Sequence, residues 1–268
     1  MQIFDFTEGT TSLLVSMPHC GTHVPGGIAA RMTPQAHLLA DTDWHVDRLY
    51  DFALELGASV LRPHYSRYVI DLNRPADNAP LYPGARGTSL CPTTDFDGNP
   101  LYLDGETPSA AEVQQRLRTW WQPYHGKLQA ELARIRSQFG TAQLVEAHSI
   151  RSQVPALFDG KLPDISVGTV GGRSCAAGML AALCELLDQQ SYYSFVVDQR
   201  FRGGYITRAY GAPPSAVHAV QLELAQCNYM EEQPPFTYLP ERAARLRALL
   251  RQLMQRIIDW ASNEAEKR

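Results

Sequence analysis

The strongest constraint on this chain is its alternation of short apolar runs with longer stretches whose apolar residues return every three or four positions. Runs at 12–18 (SLLVSMP), 57–63 (GASVLRP), 66–72 (SRYVIDL), 142–149 (AQLVEAHS), 165–170 (ISVGTV), 193–198 (YSFVVD) and 216–224 (AVHAVQLEL) have the length and composition of strands. Residues 43–56, 110–139, 174–189 and 242–261 carry helical periodicity between them. Strands alternating with helices predict an α/β fold, a mainly parallel sheet covered on both faces. With 268 residues, 44% of them hydrophobic, the expectation is a single domain over 1–268 with one sizeable core.

Two stretches break the pattern. Residues 75–108 are rich in Pro, Gly, Asp and Asn and predict a long loop at the working face, and 200–214 form a second irregular stretch. The closing SNEAEKR reads as a solvated tail. Lys and Arg total 24 against 28 Asp and Glu, so the net charge of −4 offers no broad positive field to nucleic acid or an anionic membrane. A small-molecule partner is expected, and no pattern specifies an oligomeric state. The amino-terminal stretch lacks a basic region followed by a long apolar run, so neither a secretory signal nor a membrane span is predicted, and a cytoplasmic location is expected. The five cysteines are odd in number and contain no C-x-x-C pair, which argues for reduced thiols rather than disulfides or a thiolate zinc site.

Chemistry concentrates where strands are expected to end. His19 follows an apolar run in VSMPHCG, and His148 closes another in LVEAHS. The carboxyl ends of strands in open α/β sheets are the usual place for ligands, and two histidines there suggest one metal. Hydrolytic zinc takes three protein ligands from His and Asp or Glu and keeps a position for water. The acidic cluster DTDWHVD (41–47) opens a helical stretch, where its carboxylates suit either helix capping or a metal; Asp43 is the candidate ligand. His23, His37, His64, His125 and His218 have no comparable setting. In SRYVIDLNRP, Arg67 precedes and Asn73 and Arg74 follow an apolar run, and arginine forks suit a substrate carboxylate or a developing oxyanion. Glu223 lies inside the apolar VQLEL, where an ionised carboxylate is costly without a partner, so it is a candidate general base.

SMPHCGTHVP (16–25), DTDWHVDRLYDF (41–52), SRYVIDLNRP (66–75), EAHSI (146–150), PDISVGT (163–169), FRGGYITRAYG (201–211) and VQLELAQCNYM (220–230) together resemble the N-formylglutamate deformylase, or N-formylglutamate amidohydrolase, family of bacterial histidine breakdown. More distantly the chain is similar to zinc carboxypeptidases, aspartoacylases and succinylglutamate desuccinylases, which share a three-layer α/β/α fold with a mixed central sheet. The resemblance implies one zinc ion per chain, with His19 and His148 as ligands. It further implies Arg67 on the scissile carbonyl, Asn73 and Arg74 on the substrate α-carboxylate, and Glu223 as general base. Those relatives space their first two ligands H-x-x-E, but Thr22 stands three residues after His19. The carboxylate must come from elsewhere: Asp43 is chosen, with Asp41, Asp47 and His45 as substitutes. Because N-formylglutamate carries two carboxylates, Arg208 in GGYITR is the expected second cation, beside two glycines that let the backbone approach a ligand. The alternative activity is a deacylase of another N-acyl amino acid or a carboxypeptidase-like hydrolase.

Overall fold

The computed structural model describes residues 2–81 and 88–266. Among them, seven strands form one sheet: β1 (Phe4–Thr7), β2 (Leu13–Ser16), β3 (Ser59–Pro63), β4 (Ala142–Ile150), β5 (Ile165–Gly168), β6 (Phe195–Val197) and β7 (Val217–Ala225), in the order β1-β3-β2-β4-β7-β5-β6. β3, β2, β4 and β7 run parallel, and so do β5 and β6. The β1–β3 and β5–β7 pairs are antiparallel, so the sheet is mixed and mainly parallel. The helices are α1 (Gly26–Ala29), α2 (Val46–Leu49), α3 (Ala110–Arg116), α4 (Gln122–Phe139), α5 (Ala177–Asp188), α6 (Tyr205–Tyr210) and α7 (Pro240–Glu266).

Helices cover both faces because the central strands are apolar on both. Val15, Val145, Ala147, Val220, Leu222 and Leu224 pack with Met179 and Leu183 of α5 and with Leu246, Leu250 and Leu253 of α7. From the other face, Leu14, Leu61, Ala142, Leu144 and Ala219 pack with Tyr124, Leu128, Leu132 and Ile135 of α4. In all three helices the buried positions recur every three or four residues, as one apolar stripe requires. Burying each such side chain contributes about 1.5–3 kcal/mol. Among the described residues, no helix is long and apolar enough to cross a membrane.

The expected helix at 110–139 is one continuous helical rod with a defect. Ser109 caps it by accepting from the Glu112 amide, and Gly140, at φ 74°, closes it with its N–H on Arg136 O. Pro123 lacks the N–H that would bond one turn back, and the preceding segment Leu117–Trp121 widens into a π-helical turn. That turn carries Trp121, whose indole N–H donates to Arg74 O at 2.9 Å. One turn on, His125 stacks on Trp121 at 3.7 Å and lies 2.8 Å through Nε2 from Leu72 O. The covering helix thus grips the backbone of the segment that supplies Asn73 and Arg74.

That segment overturns one sequence expectation. Residues 66–72 are not a strand but a turn, in which Val69 N donates to Ser66 O at 2.9 Å. The turn shortens the reach between Arg67 and Asp71, whose Cα atoms would lie about 13 Å apart in a strand, and Arg67 Nη2 meets Asp71 Oδ2 at 2.8 Å. The helix expected at 43–56 is also reduced to α2 and a short 3-10 turn, Asp51–Ala53. β1 was not expected from the sequence; it is a four-residue edge strand with Asp5 in its middle. Within 75–108 the described residues hold no helix and only single bridges such as Thr94 to Pro100, and 82–87 lie outside the described residues.

Burial lowers the pKa of His125 to about 4 against the weaker opposing hydrogen bond to Leu72 O. The unfolded chain therefore binds a proton below its ordinary pKa of about 6.5 that the folded chain refuses, and stability falls as pH drops from there toward 4. The contribution is up to about 3 kcal/mol by linkage. His125→Gln keeps a donor for Leu72 O but cannot titrate. Urea unfolding between pH 7 and 4.5 should show a shallower acid loss in this variant than in the parent, and equal slopes would remove His125 from the account.

Candidate active site

β4 and β7 lie side by side with His148 opposite Glu223 and Glu146 opposite Gln221. Successive residues of a strand alternate faces, so these four share the α4 side with Ala142, Leu144, Val217 and Ala219. That face is apolar near the strand starts and polar toward the carboxyl ends. His19 arrives from the loop after β2, and its carbonyl accepts the Asp43 N–H at 3.1 Å, tying two separate segments together beside His148.

His19, Asp43 and His148 are all buried, and one ligand atom from each lies within 4.8 Å of the others. Asp43 Oδ2 stands 3.8 Å from Nδ1 of His19 and 3.0 Å from Nδ1 of His148. It also accepts the Ser149 N–H at 3.1 Å. Both Nε2 atoms face outward from this cluster: that of His19 is 2.7 Å from Asp71 Oδ1, and that of His148 is 3.0 Å from Asn73 Nδ2. Ligand atoms around tetrahedral zinc lie about 3.4 Å apart, a spacing that the two Asp43 distances bracket, and two imidazoles with one carboxylate are a hydrolytic zinc donor set. Asp41, Asp47 and His45 stand elsewhere: Asp41 accepts from Phe96 N, Asp47 pairs with Arg62, and His45 reaches Phe236 O.

The surrounding charges separate the two histidines. Burial, helped by Arg67, lowers His19 to about 4, against the pull of Asp71 and Asp43. For His148 burial works the same way, but its hydrogen bond to Asp43 and the Asp43 and Glu223 charges outweigh it and raise the ring to about 9. Glu223 is raised to about 7, by burial and then by the Asp43 charge, against His148 and Arg67. Gln221 Nε2 donates to Glu223 Oε2 at 2.9 Å while its Oε1 accepts Gly204 N–H at 2.7 Å, so a side-chain amide fixes the carboxylate.

These groups line one cavity with Arg67, Asn73, Arg74, Thr88, Phe96, Leu157, Arg200 and Phe201. Arg67 donates to Asp71, lies with Nη1 3.9 Å from Asp43 Oδ1, and covers the Phe96 ring at 4.8 Å. Arg74 is braced by Thr88, with Nε on its carbonyl at 2.9 Å and Nη2 on its hydroxyl at 2.8 Å. Asn73 is engaged on both sides, since its Oδ1 accepts Ile206 N–H at 2.9 Å. Gly204 is required by that contact: a Cβ there would collide with the Asn73 amide, so this glycine serves the approach of backbone to Asn73. Arg208 is not among these residues; its Nε donates to Gly203 O at 2.9 Å, and it lines a neighbouring cavity with Arg173 and Arg202. Sequence reasoning passed over Asp71, Gln221 and Arg200. Asp71 and Gln221 carried the signal that marked Glu223, a polar side chain within an apolar run; Arg200 had none beyond its place in an irregular stretch.

A model of the N-formylglutamate amidohydrolase family matches residues 11–230. The chain is 51% identical over 259 residues to the N-formylglutamate deformylase of Pseudomonas aeruginosa, covering 97% of each chain. It is 48% identical over 266 residues to that of Pseudomonas putida, covering 99% of each. Its fold matches the crystal structure of N-formylglutamate amidohydrolase from Ralstonia eutropha with a TM-score of 0.85 at 24% identity, covering 98% of this chain and 100% of that one. A gene product of Agrobacterium tumefaciens of known structure gives a TM-score of 0.73 at 16% identity, covering 97% and 96%. The chain belongs to the N-formylglutamate amidohydrolase family.

Proposed function

We propose that this protein hydrolyses N-formyl-L-glutamate to formate and L-glutamate with one zinc ion held by His19, Asp43 and His148, as the closing step of histidine degradation in the cytoplasm. The observation that carries this reading is the buried His19–Asp43–His148 cluster on the same cavity wall as Glu223 and Arg67. Zinc bound there would polarise the formyl carbonyl and lower the pKa of its water to about 7.

The chain's own groups do the rest. Glu223 takes the proton of the attacking water and passes it to the departing nitrogen of glutamate, so one carboxyl acts as base and then as acid. A pKa raised to about 7 suits both roles. Arg67, immobilised by Asp71, donates to the oxyanion that develops on the formyl oxygen. Arg74, braced by Thr88, holds the α-carboxylate together with the neighbouring Asn73. Asp71 orients His19 by holding its outer nitrogen, as carboxylates commonly do behind histidine ligands.

Formate release from N-formyl-L-glutamate should stop in a chelator and return with added zinc; an enzyme that keeps its full rate when metal-free would overturn the zinc reading. His19→Ala, His148→Ala and Asp43→Ala should purify without zinc by elemental analysis, and Asp71→Asn should bind it about ten- to a hundredfold more weakly. Glu223→Gln should retain zinc and lose about a hundred- to ten-thousandfold in turnover; a rate within a few-fold of the parent would show that another group activates water. Arg67→Ala should lower kcat on the order of a hundred- to a thousandfold, whereas Arg74→Ala should chiefly raise KM. Identical kinetic signatures in these two variants would contradict the division of labour between the arginines.

A further inference from the structure

The proposed substrate brings two carboxylates into a cavity whose wall already carries Asp43 and Glu223. Each incoming carboxylate needs a cation whose charge is not already neutralised. Arg67 is committed to Asp71. Arg74 bonds the hydroxyl and carbonyl of Thr88 and the carbonyl of Asn73, and serves one carboxylate in the reading above. Arg208 faces the neighbouring cavity.

Arg200 remains, on the loop between β6 and Gly203. It lines the active-site cavity beside Leu157 and Phe201, and its Nε is buried without a hydrogen-bond partner among the described residues. No ion pair engages Arg200 among the described residues, so its charge on the cavity wall is left for an acceptor that comes from outside the chain. The loop is pinned on either side: Asp198 N donates to Val167 O at 2.8 Å, the Asp198 carboxylate accepts Thr169 N–H at 2.7 Å, and Arg202 O accepts Val170 N–H at 2.7 Å. Arg200 is therefore presented to the cavity by a fixed backbone, which reduces the ordering cost of binding.

We propose that Arg200 is the specificity-determining residue that receives the side-chain carboxylate of the substrate, with Leu157 and Phe201 against the intervening methylenes. A guanidinium presents two parallel N–H groups, a geometric match to a carboxylate and a mismatch to an amide. This assignment rests on the function proposed above.

The test compares zinc-loaded parent, Arg200→Ala and Arg200→Lys on N-formyl-L-glutamate and N-formyl-L-glutamine, with calorimetric binding of L-glutamate and L-glutamine as a second readout. The parent should prefer the glutamate compounds in both. Arg200→Ala should reduce that preference by about ten- to a hundredfold, carried by KM rather than kcat, and Arg200→Lys should restore part of it. An Arg200→Ala enzyme with the parent KM for N-formylglutamate, or equal losses on both substrates, would overturn the assignment. A parent that hydrolyses neither compound yet binds glutamate over glutamine, with the preference lost in Arg200→Ala, would remove the proposed reaction and leave the Arg200 assignment standing. A parent with no preference in either readout would refute Arg200's role itself.

Discussion

The site hangs on one buried carboxylate. Asp71 has no exposed surface, and its Oδ1 lies 2.7 Å from His19 Nε2 and accepts the Asn73 N–H at 2.9 Å, while Oδ2 accepts Arg67 Nη2 at 2.8 Å. An ionised carboxylate out of water costs several kcal/mol unless its lone pairs are filled by good donors. Here burial pushes the Asp71 carboxyl up, but His19 and Arg67 outweigh it and hold it well below the usual carboxylate range. One charge thereby sets the ring of a candidate ligand, the fork of a candidate oxyanion donor and the turn that leads into Asn73. Removing it would break a buried pair and leave Arg67 with the longer 3.9 Å contact to Asp43, and breaking a buried pair typically costs about 3–5 kcal/mol.

The sheet contributes a change of character along one face. On β4 the residues facing α4 run Ala142, Leu144, Glu146, His148, and on β7 Val217, Ala219, Gln221, Glu223, in matched register. The apolar halves pack under α4 and hold the two strands rigidly; the polar halves emerge beyond it toward the cavity. Because both strands are parallel and in register, the change occurs at the same height on each. His148 and Glu223 are therefore adjacent through ladder geometry alone, without a loop to position them, which is how a rigid scaffold holds catalytic groups within narrow tolerances.

Where the chemistry follows this ladder, the sequence was readable. Glu223 and His148 stand out as polar residues in apolar runs, and the periodicity of 110–139 foretold the helical rod that packs on the apolar halves of their strands. The segment 66–72 misled because SRYVIDL has the composition of a strand, and its true form depends on Asp71 finding Arg67 and His19, contacts of which one lies 52 residues away. The same limit applies to the acidic cluster at 41–47. Local propensity assigns those carboxylates to a helix start, and only the bond from Asp43 N to His19 O, formed when β2 and its following loop are in place, selects Asp43 over Asp41 and Asp47. Arg208 and Arg200 differ by the path of one loop, which no periodicity encodes.

The cavity is also polar in the electrical sense, and its polarity gives the proposed substrate a direction. Its most buried groups, His19, Asp43, Arg67, His148 and Glu223, are nearly inaccessible, and two of the five are carboxylates. The hydrogen bond and charge of Asp43, with the charge of Glu223, push His148 up to about 9 against the cost of burial, so these carboxylates favour a positive charge beside them. A divalent cation satisfies the same field more fully than a proton can. Toward the mouth the sign reverses, with the half-buried Arg74 and Arg200 on the wall. A dianion entering such a field meets the wall arginines first, and they attract its carboxylates. With both carboxylates held by the arginines of the wall, the neutral formamide end is left for the floor of the cavity, which is the end that the proposed hydrolysis must cleave.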